Sequence, residues 1–111
     1  MVIKYIPSRG DIVWLNFEPQ QGKEIKKIRP AITISPQKYN AKTGLALFMP
    51  ISSKIKNYPF AVKITLTKIN GEILCDQIRS LDWRERKATF ITEISEDLIA
   101  QVLDKFNLLI S

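Results

Sequence analysis

The sequence contains no histidine and only one cysteine. Without histidine, imidazole acid–base chemistry and Ser-His-Asp triads are excluded. With one cysteine and no histidine, the usual zinc ligand sets cannot be assembled, and no metal or other cofactor is expected. Cys75 has no partner for a disulfide within the chain, which fits a reducing cytoplasm. Long apolar runs are also missing. None approaches the roughly 18 residues that a bilayer span requires, so no membrane association is expected. The opening MVIKYIPSRGD has neither a long apolar core nor a small-residue cleavage site, so no signal peptide is expected.

What is present describes a small globular domain. The 111 residues are 45% apolar and 25% charged, enough for one folded domain over residues 1–111 and hardly for two. Seventeen Lys and Arg face eleven Asp and Glu, a net charge of +6. Residues 1–70 carry twelve basic and three acidic side chains, while residues 71–111 carry five basic and eight acidic ones. A basic half joined to a mildly acidic half implies one charged working face and an anionic partner, most simply nucleic acid. Two basic clusters, Lys23–Arg29 and Lys54–Lys56, fall in polar segments where lysines can meet phosphates without reading a sequence.

Short strand-like runs alternate with turn signals. Asp11–Phe17, Ala31–Ser35, Leu45–Ile51, Phe60–Leu66, Glu72–Ser80 and Ala88–Ile91 read as strands. Pro50 implies an edge or a bulge in the third of these. Residues 18–28 and 52–59 read as long polar loops, Asn40–Gly44 as a turn, and Asn70-Gly71 as a hairpin turn. Ser95 is a fitting N-cap for an amphipathic helix over about residues 96–106, followed by an apolar tail, Leu108–Ile110. Many short strands with one terminal helix suggest a mainly β protein, a small twisted barrel. Trp14 and Trp83 read as barrel packing in preference to base-stacking platforms, and Cys75 as a core residue.

Three constellations carry chemistry. Glu24 and Arg29-Pro30-Ala31 lie where a polar loop meets an apolar strand, and Pro30 biases Arg29 toward an extended conformation. Pro50-Ile51-Ser52-Ser53 is a strand end that presents hydroxyls beside Lys54 and Lys56. Asp76-Gln77 and Arg79 precede Trp83-Arg84-Glu85-Arg86.

With these segments in view, the chain resembles the MazF/PemK/Kid family of toxin endoribonucleases. The resemblance rests on GDIVWLNF, the Glu24-x4-Arg29-Pro30-Ala31 segment, SPQKYNAKTG, PISS, YPF and CDQIRSLDWRER, in that order over nearly the whole chain. It implies an SH3-like barrel of the CcdB/PemK type that works as a homodimer. It also implies metal-independent cleavage of single-stranded mRNA at short sequences and neutralisation by a cognate acidic, MazE-like antitoxin. Position by position, the family's catalytic arginine falls on Arg29, its hydroxyl residue on Ser52 and its loop glutamate on Glu24. Asp76 and Gln77 fall on its RNA-associated pair. Ser52 stands where threonine is usual, and Asn16 where close relatives often carry an acid. The further RNA-binding candidates are Lys27, Ser53, Lys54, Lys56, Arg79, Arg84 and Arg86.

The residue types suit that reaction. RNA supplies its own nucleophile, the 2′-OH, so a protein need only align it, accept its proton and stabilise the pentacoordinate phosphorus. Glu24 is the candidate base. Arg29 offers a planar donor fork for two phosphate oxygens. Ser52 would donate to a nonbridging oxygen. The expected products are a 2′,3′-cyclic phosphate and a 5′-hydroxyl end. Two other readings use the same barrel: a CcdB-like gyrase-poisoning toxin, and a non-catalytic RNA-binding module.

Overall fold

The computed structural model describes residues 5–17 and 28–111. Its strands are β1 (Asp11–Asn16), β2 (Ile28–Thr33), β3 (Leu45–Ser52), β4 (Ala61–Thr65), β5 (Asn70–Leu74), β6 (Arg79–Asp82) and β7 (Thr89–Glu93). Two helices, α1 (Gln37–Thr43) and α2 (Glu96–Ile110), complete the chain. The strands form one curved antiparallel sheet in the order β4-β5-β3-β2-β1-β7, with β6 pairing beside β3. The result is a half-barrel with a C-terminal helix, as the sequence implied.

Strand β1 buries residues on both faces and reads as an apolar run, whereas β4 alternates buried and exposed positions. In β1, Ile12 and Val13 are both fully buried but enter different clusters. Ile12 joins Ile32, Met49, Ile51, Ile64, Ile73 and Val102. Val13 joins Leu15, Phe17, Ala31, Phe48, Leu81 and Trp83. Helix α2 covers the first cluster with Leu98, Ile99, Leu103 and Phe106 around the buried Val102. Ser95 caps it, its hydroxyl accepting from Leu98 N at 3.2 Å, and Glu96 and Asp97 complement the dipole in the first turn.

Several sequence expectations are corrected. The turn expected at Asn40–Gly44 belongs to α1, which begins after Pro36 without a side-chain cap and ends on Gly44 at φ 77°. Tertiary bonds hold this short helix. Asn40 is fully buried, and its amide donates to the Pro7 and Ser35 carbonyls at 2.7 and 3.1 Å while its Oδ1 accepts from Ser35 Oγ at 2.5 Å. Its backbone carbonyl also accepts from the Trp83 indole N–H at 2.8 Å. Helix α2 does not stop near residue 106; it absorbs the expected apolar tail and leaves Leu108 and Ile110 exposed.

Strand β2 begins at Ile28 and not Ala31, so Arg29 and Pro30 lie within it. The expected Glu72–Ser80 strand divides into β5 and β6 around a turn in which Gln77 N donates to Leu74 O. Asn70 pairs with Thr65, so the β4–β5 turn lies at residues 66–69, closed by Leu66 N to Ile69 O at 3.0 Å.

Pro50 lies neither at an edge nor in a bulge. Strand β3 is interior, paired to β2 along one side and to β6 and then β5 along the other. Leu47 O accepts from Ile34 N on the β2 side, so even-numbered residues of β3 direct their backbone groups the other way. The donor that Pro50 lacks falls where β6 (paired through Phe48) has ended and β5 (paired from Ile51) has yet to begin.

Candidate active site

The β2–β3 ladder brings the central pair together. Ala31 pairs with Pro50, Ile32 with Met49 and Thr33 with Phe48. Continuing that register outward by two residues sets Arg29 opposite Ser52. Both line one open cleft of about 670 Å³, with Trp14, Pro30, Ser53, Lys54, Lys68 and Asn70 among its walls. Arg29 is exposed, and Lys54 and Lys68 add positive charge; no acidic side chain lines the cleft among the described residues. Glu24 and Lys27 lie outside the described residues.

Ser52 is held from both sides. Its strand neighbour in β5 is Glu72, and its hydroxyl oxygen accepts from Lys54 N at 3.2 Å. That bond occupies a lone pair and leaves the hydroxyl proton free to donate into the cleft. Gly71 makes the seating possible, because a Cβ there would stand 2.2 Å from the Ser52 carbonyl oxygen. The Ser52 backbone is thus fixed by its neighbours.

The segment after Ser52 separates this cleft from a second of about 370 Å³, lined by Lys54, Lys56, Tyr58, Glu72 and Gln77 among others. The segment is anchored at several points. Glu72, 3% exposed, accepts from Lys56 N at 3.2 Å through Oε1. Tyr58 donates its hydroxyl to Asp76 Oδ2. Lys105 from α2 donates to the Pro59 carbonyl at 2.9 Å. The hydrogen bond to Asp76 is the main cause of a raised Tyr58 pKa, so the phenol stays protonated and keeps donating. Asp76 thus anchors the loop, whereas Gln77 faces the second cleft.

The arginines of the last candidate group divide by place. Arg86 donates to the carbonyls of Phe17 and Asn16, fixing the end of β1. Arg79 lies 5.7 Å from the Phe17 ring centroid and Arg84 5.2 Å from that of Trp83. Arg84 lines none of the clefts described here. Asn16 lines a third, more apolar cleft of about 600 Å³ with Trp14, Leu15, Ile28, Arg86, Lys87 and Thr89. Its side-chain Oδ1 is buried without a partner among the described residues.

Sequence reasoning missed Glu72 and Lys68, which carry no local motif, and read Asn70 only as part of a hairpin turn. It also placed Trp14 in the packing. Trp83 is packed, at 7% exposure, but Trp14 is 43% exposed and lines two clefts. Cys75 is a core residue as expected, and burial pushes its thiol pKa up to about 11.

A small β half-barrel with an arginine opposite a hydroxyl in a cationic cleft is a scaffold for binding phosphate-bearing chains. Comparison with known proteins gives this class its family. Residues 8–110 match the PemK-like, MazF-like toxin of type II toxin–antitoxin systems. The chain is 38% identical to the endoribonuclease toxin MazF of Escherichia coli K12 over 110 residues, covering 99% of each protein. It is 26% identical to the Escherichia coli endoribonuclease PemK over 109 residues, covering 94% of this chain and 82% of that protein. Its backbone superposes on a MazE–MazF crystal structure from Deinococcus radiodurans with a TM-score of 0.89 at 42% identity, covering 96% and 97% of the two chains. The chain belongs to the PemK-like, MazF-like toxin family.

Proposed function

We propose that this chain is the toxin of a type II toxin–antitoxin pair and cleaves single-stranded mRNA without a metal ion, arresting translation and growth. The observation that carries the reading is that Arg29 and Ser52 line one cationic cleft. The names of its relatives, endoribonucleases of the MazF and PemK kind, support the reaction class.

The proposed steps use groups of the protein and of the RNA alone. The 2′-oxygen attacks the adjacent phosphorus and its proton passes to Glu24. The P–O5′ bond breaks as the 2′,3′-cyclic phosphate closes. Arg29 spreads the developing charge over its planar donor fork. Ser52 donates its free proton to a nonbridging oxygen, and Lys54 and Lys68 hold flanking phosphates. The departing 5′-oxygen takes a proton from Arg29 in the transition state, leaving a 5′-hydroxyl, and Arg29 recovers the proton that Glu24 accepted. In this reading Asn16, Lys27, Ser53, Lys56, Gln77 and Arg79 contact the bound strand. The toxin works as a cytoplasmic homodimer, and an antitoxin with an acidic tail lies in the cationic groove and competes with RNA. The MazE–MazF structures of Deinococcus radiodurans support a protein partner of that kind.

The test is cleavage of defined RNA in EDTA with mapping of the new ends. Cyclic-phosphate and 5′-hydroxyl products are expected, and Ser52→Ala lowers the rate about tenfold, the worth of one hydrogen bond. Loss of cleavage in EDTA, 5′-phosphate ends, or gyrase trapping without RNA cleavage would overturn it. A solution mass near twice 12.8 kDa tests the dimer.

A further inference from the structure

Trp14 is out of place in a barrel core. It lies in the middle of β1 between Val13 and Leu15, both fully buried. Ile12, on the same strand face, is sealed in the cluster beneath α2, yet Trp14 two residues on is 43% exposed. Its cross-strand neighbours are Pro30 on β2 and Thr89 on β7, neither bulky enough to cover an indole. A large aromatic surface left in water costs hydrophobic stabilisation that packing elsewhere would recover.

Its neighbours indicate what covers it. Trp14 is the residue common to the Arg29–Ser52 cleft and the cleft of Asn16, Arg86 and Lys87. Cations stand on both sides: Arg29, Lys54 and Lys68 in one cleft, Arg86 and Lys87 in the other. No acidic side chain lines either among the described residues. An exposed aromatic face flanked by cationic grooves is the arrangement that holds single-stranded nucleic acid, phosphates on the lysines and a base on the ring.

We infer that the Trp14 indole is a stacking platform for an RNA base next to the cleaved phosphate, bridging the Arg29–Ser52 cleft and the Asn16–Arg86 cleft. The inference rests on the proposed ribonuclease reading and adds a positioning residue to it. Because every base has a π-face, the platform supplies affinity and alignment without choosing the sequence. It holds the strand so that the adjacent phosphate meets Arg29 and Ser52.

The experiment is a fluorescence titration with an RNA oligonucleotide containing a mapped cut site, 2′-deoxy at that position to block cleavage. Trp83 is buried with its indole N–H on the Asn40 carbonyl and serves as a constant background. Saturable quenching of the wild type is expected, and none in Trp14→Phe. Trp14→Ala should bind about 5- to 150-fold more weakly, the span of base–aromatic stacking. With cleavable RNA its KM rises by a similar factor, kcat changes little and the cut sequence stays the same. Trp14→Phe restores most of the affinity. Unchanged RNA binding in Trp14→Ala overturns the inference while cleavage by the wild type leaves the ribonuclease reading standing. Loss of antitoxin binding alone marks Trp14 as a protein contact and also overturns it. A lowered melting temperature with no rescue by phenylalanine assigns it to packing. Failure of the wild type to bind or cleave any RNA removes both readings.

Discussion

The two ends of β3 are built to opposite purposes. At Leu45–Phe48 the strand pairs with β6, and α1 closes the end through Asn40 and the buried Trp83. At Pro50–Ser52 the same strand changes partner to β5 and opens on the cationic cleft, where Trp14 and Arg29 stand in water. One end turns Asn40 and Trp83 inward to bond with each other and with Pro7 and Ser35. The other presents donors outward. The difference teaches that one strand can anchor a small barrel and carry its chemistry, provided the two duties are kept several residues apart.

Substitutions can break that separation or sharpen it. The largest expected effect is at the open end: Arg29→Ala should slow RNA cleavage by about 10²–10³-fold, the effect of removing one donor to a developing oxyanion. Its melting temperature should match the wild type, because the guanidinium makes no hydrogen bond among the described residues. At the closed end the signs reverse. Asn40→Ala strands the Ser35 hydroxyl and the Pro7 carbonyl and should cost about 2–3 kcal/mol, measured by urea unfolding, with kcat unchanged wherever the protein remains folded.

Gly71→Ala should erase the separation, since a methyl 2.2 Å from the Ser52 carbonyl must move backbone. About 1–2 kcal/mol of stability and a comparable factor in kcat should fall together, seen by paired unfolding and rate measurements. The smallest effect concerns pH. Burial raises the Cys75 thiol from 9.0 to about 11, so the unfolded chain loses this proton first. Stability from this group is present below pH 9 and declines between pH 9 and 11, by at most about 2 kcal/mol. Cys75→Ala should flatten that part of the urea-midpoint profile relative to the wild type and leave the neutral-pH cleavage rate untouched.

Much of this was legible in the sequence. The strands showed because β-branched runs between turn residues have few other uses, and Ser95 with Glu96 and Asp97 marked the start of α2. Helix α1 was not legible, because its seven residues contain a turn-like Asn40 and end on Gly44; what stabilises it comes from Pro7, Ser35 and Trp83, remote in sequence or outside the helix. Arg29 and Ser52 were found through their motifs, but their juxtaposition is a property of the β2–β3 register. Glu72 gave no signal because a lone acid in a return strand looks solvent-facing. Trp14 was misplaced because burial is the common fate of tryptophan, and only the small residues across from it, Pro30 and Thr89, leave it bare.

The register between β2 and β3 has a consequence for how such a toxin diversifies. Arg29 and Ser52 each lie two residues beyond the paired Ala31 and Pro50, on strand ends that line one cleft. Segments beyond those strand ends can lengthen, shorten or exchange charge without altering the spacing of the pair. On the proposed reading, descendants of one scaffold can thus acquire new target sequences by remodelling its loops while the bond-breaking step is inherited unchanged, as a tool keeps its cutting edge when only its guide is replaced.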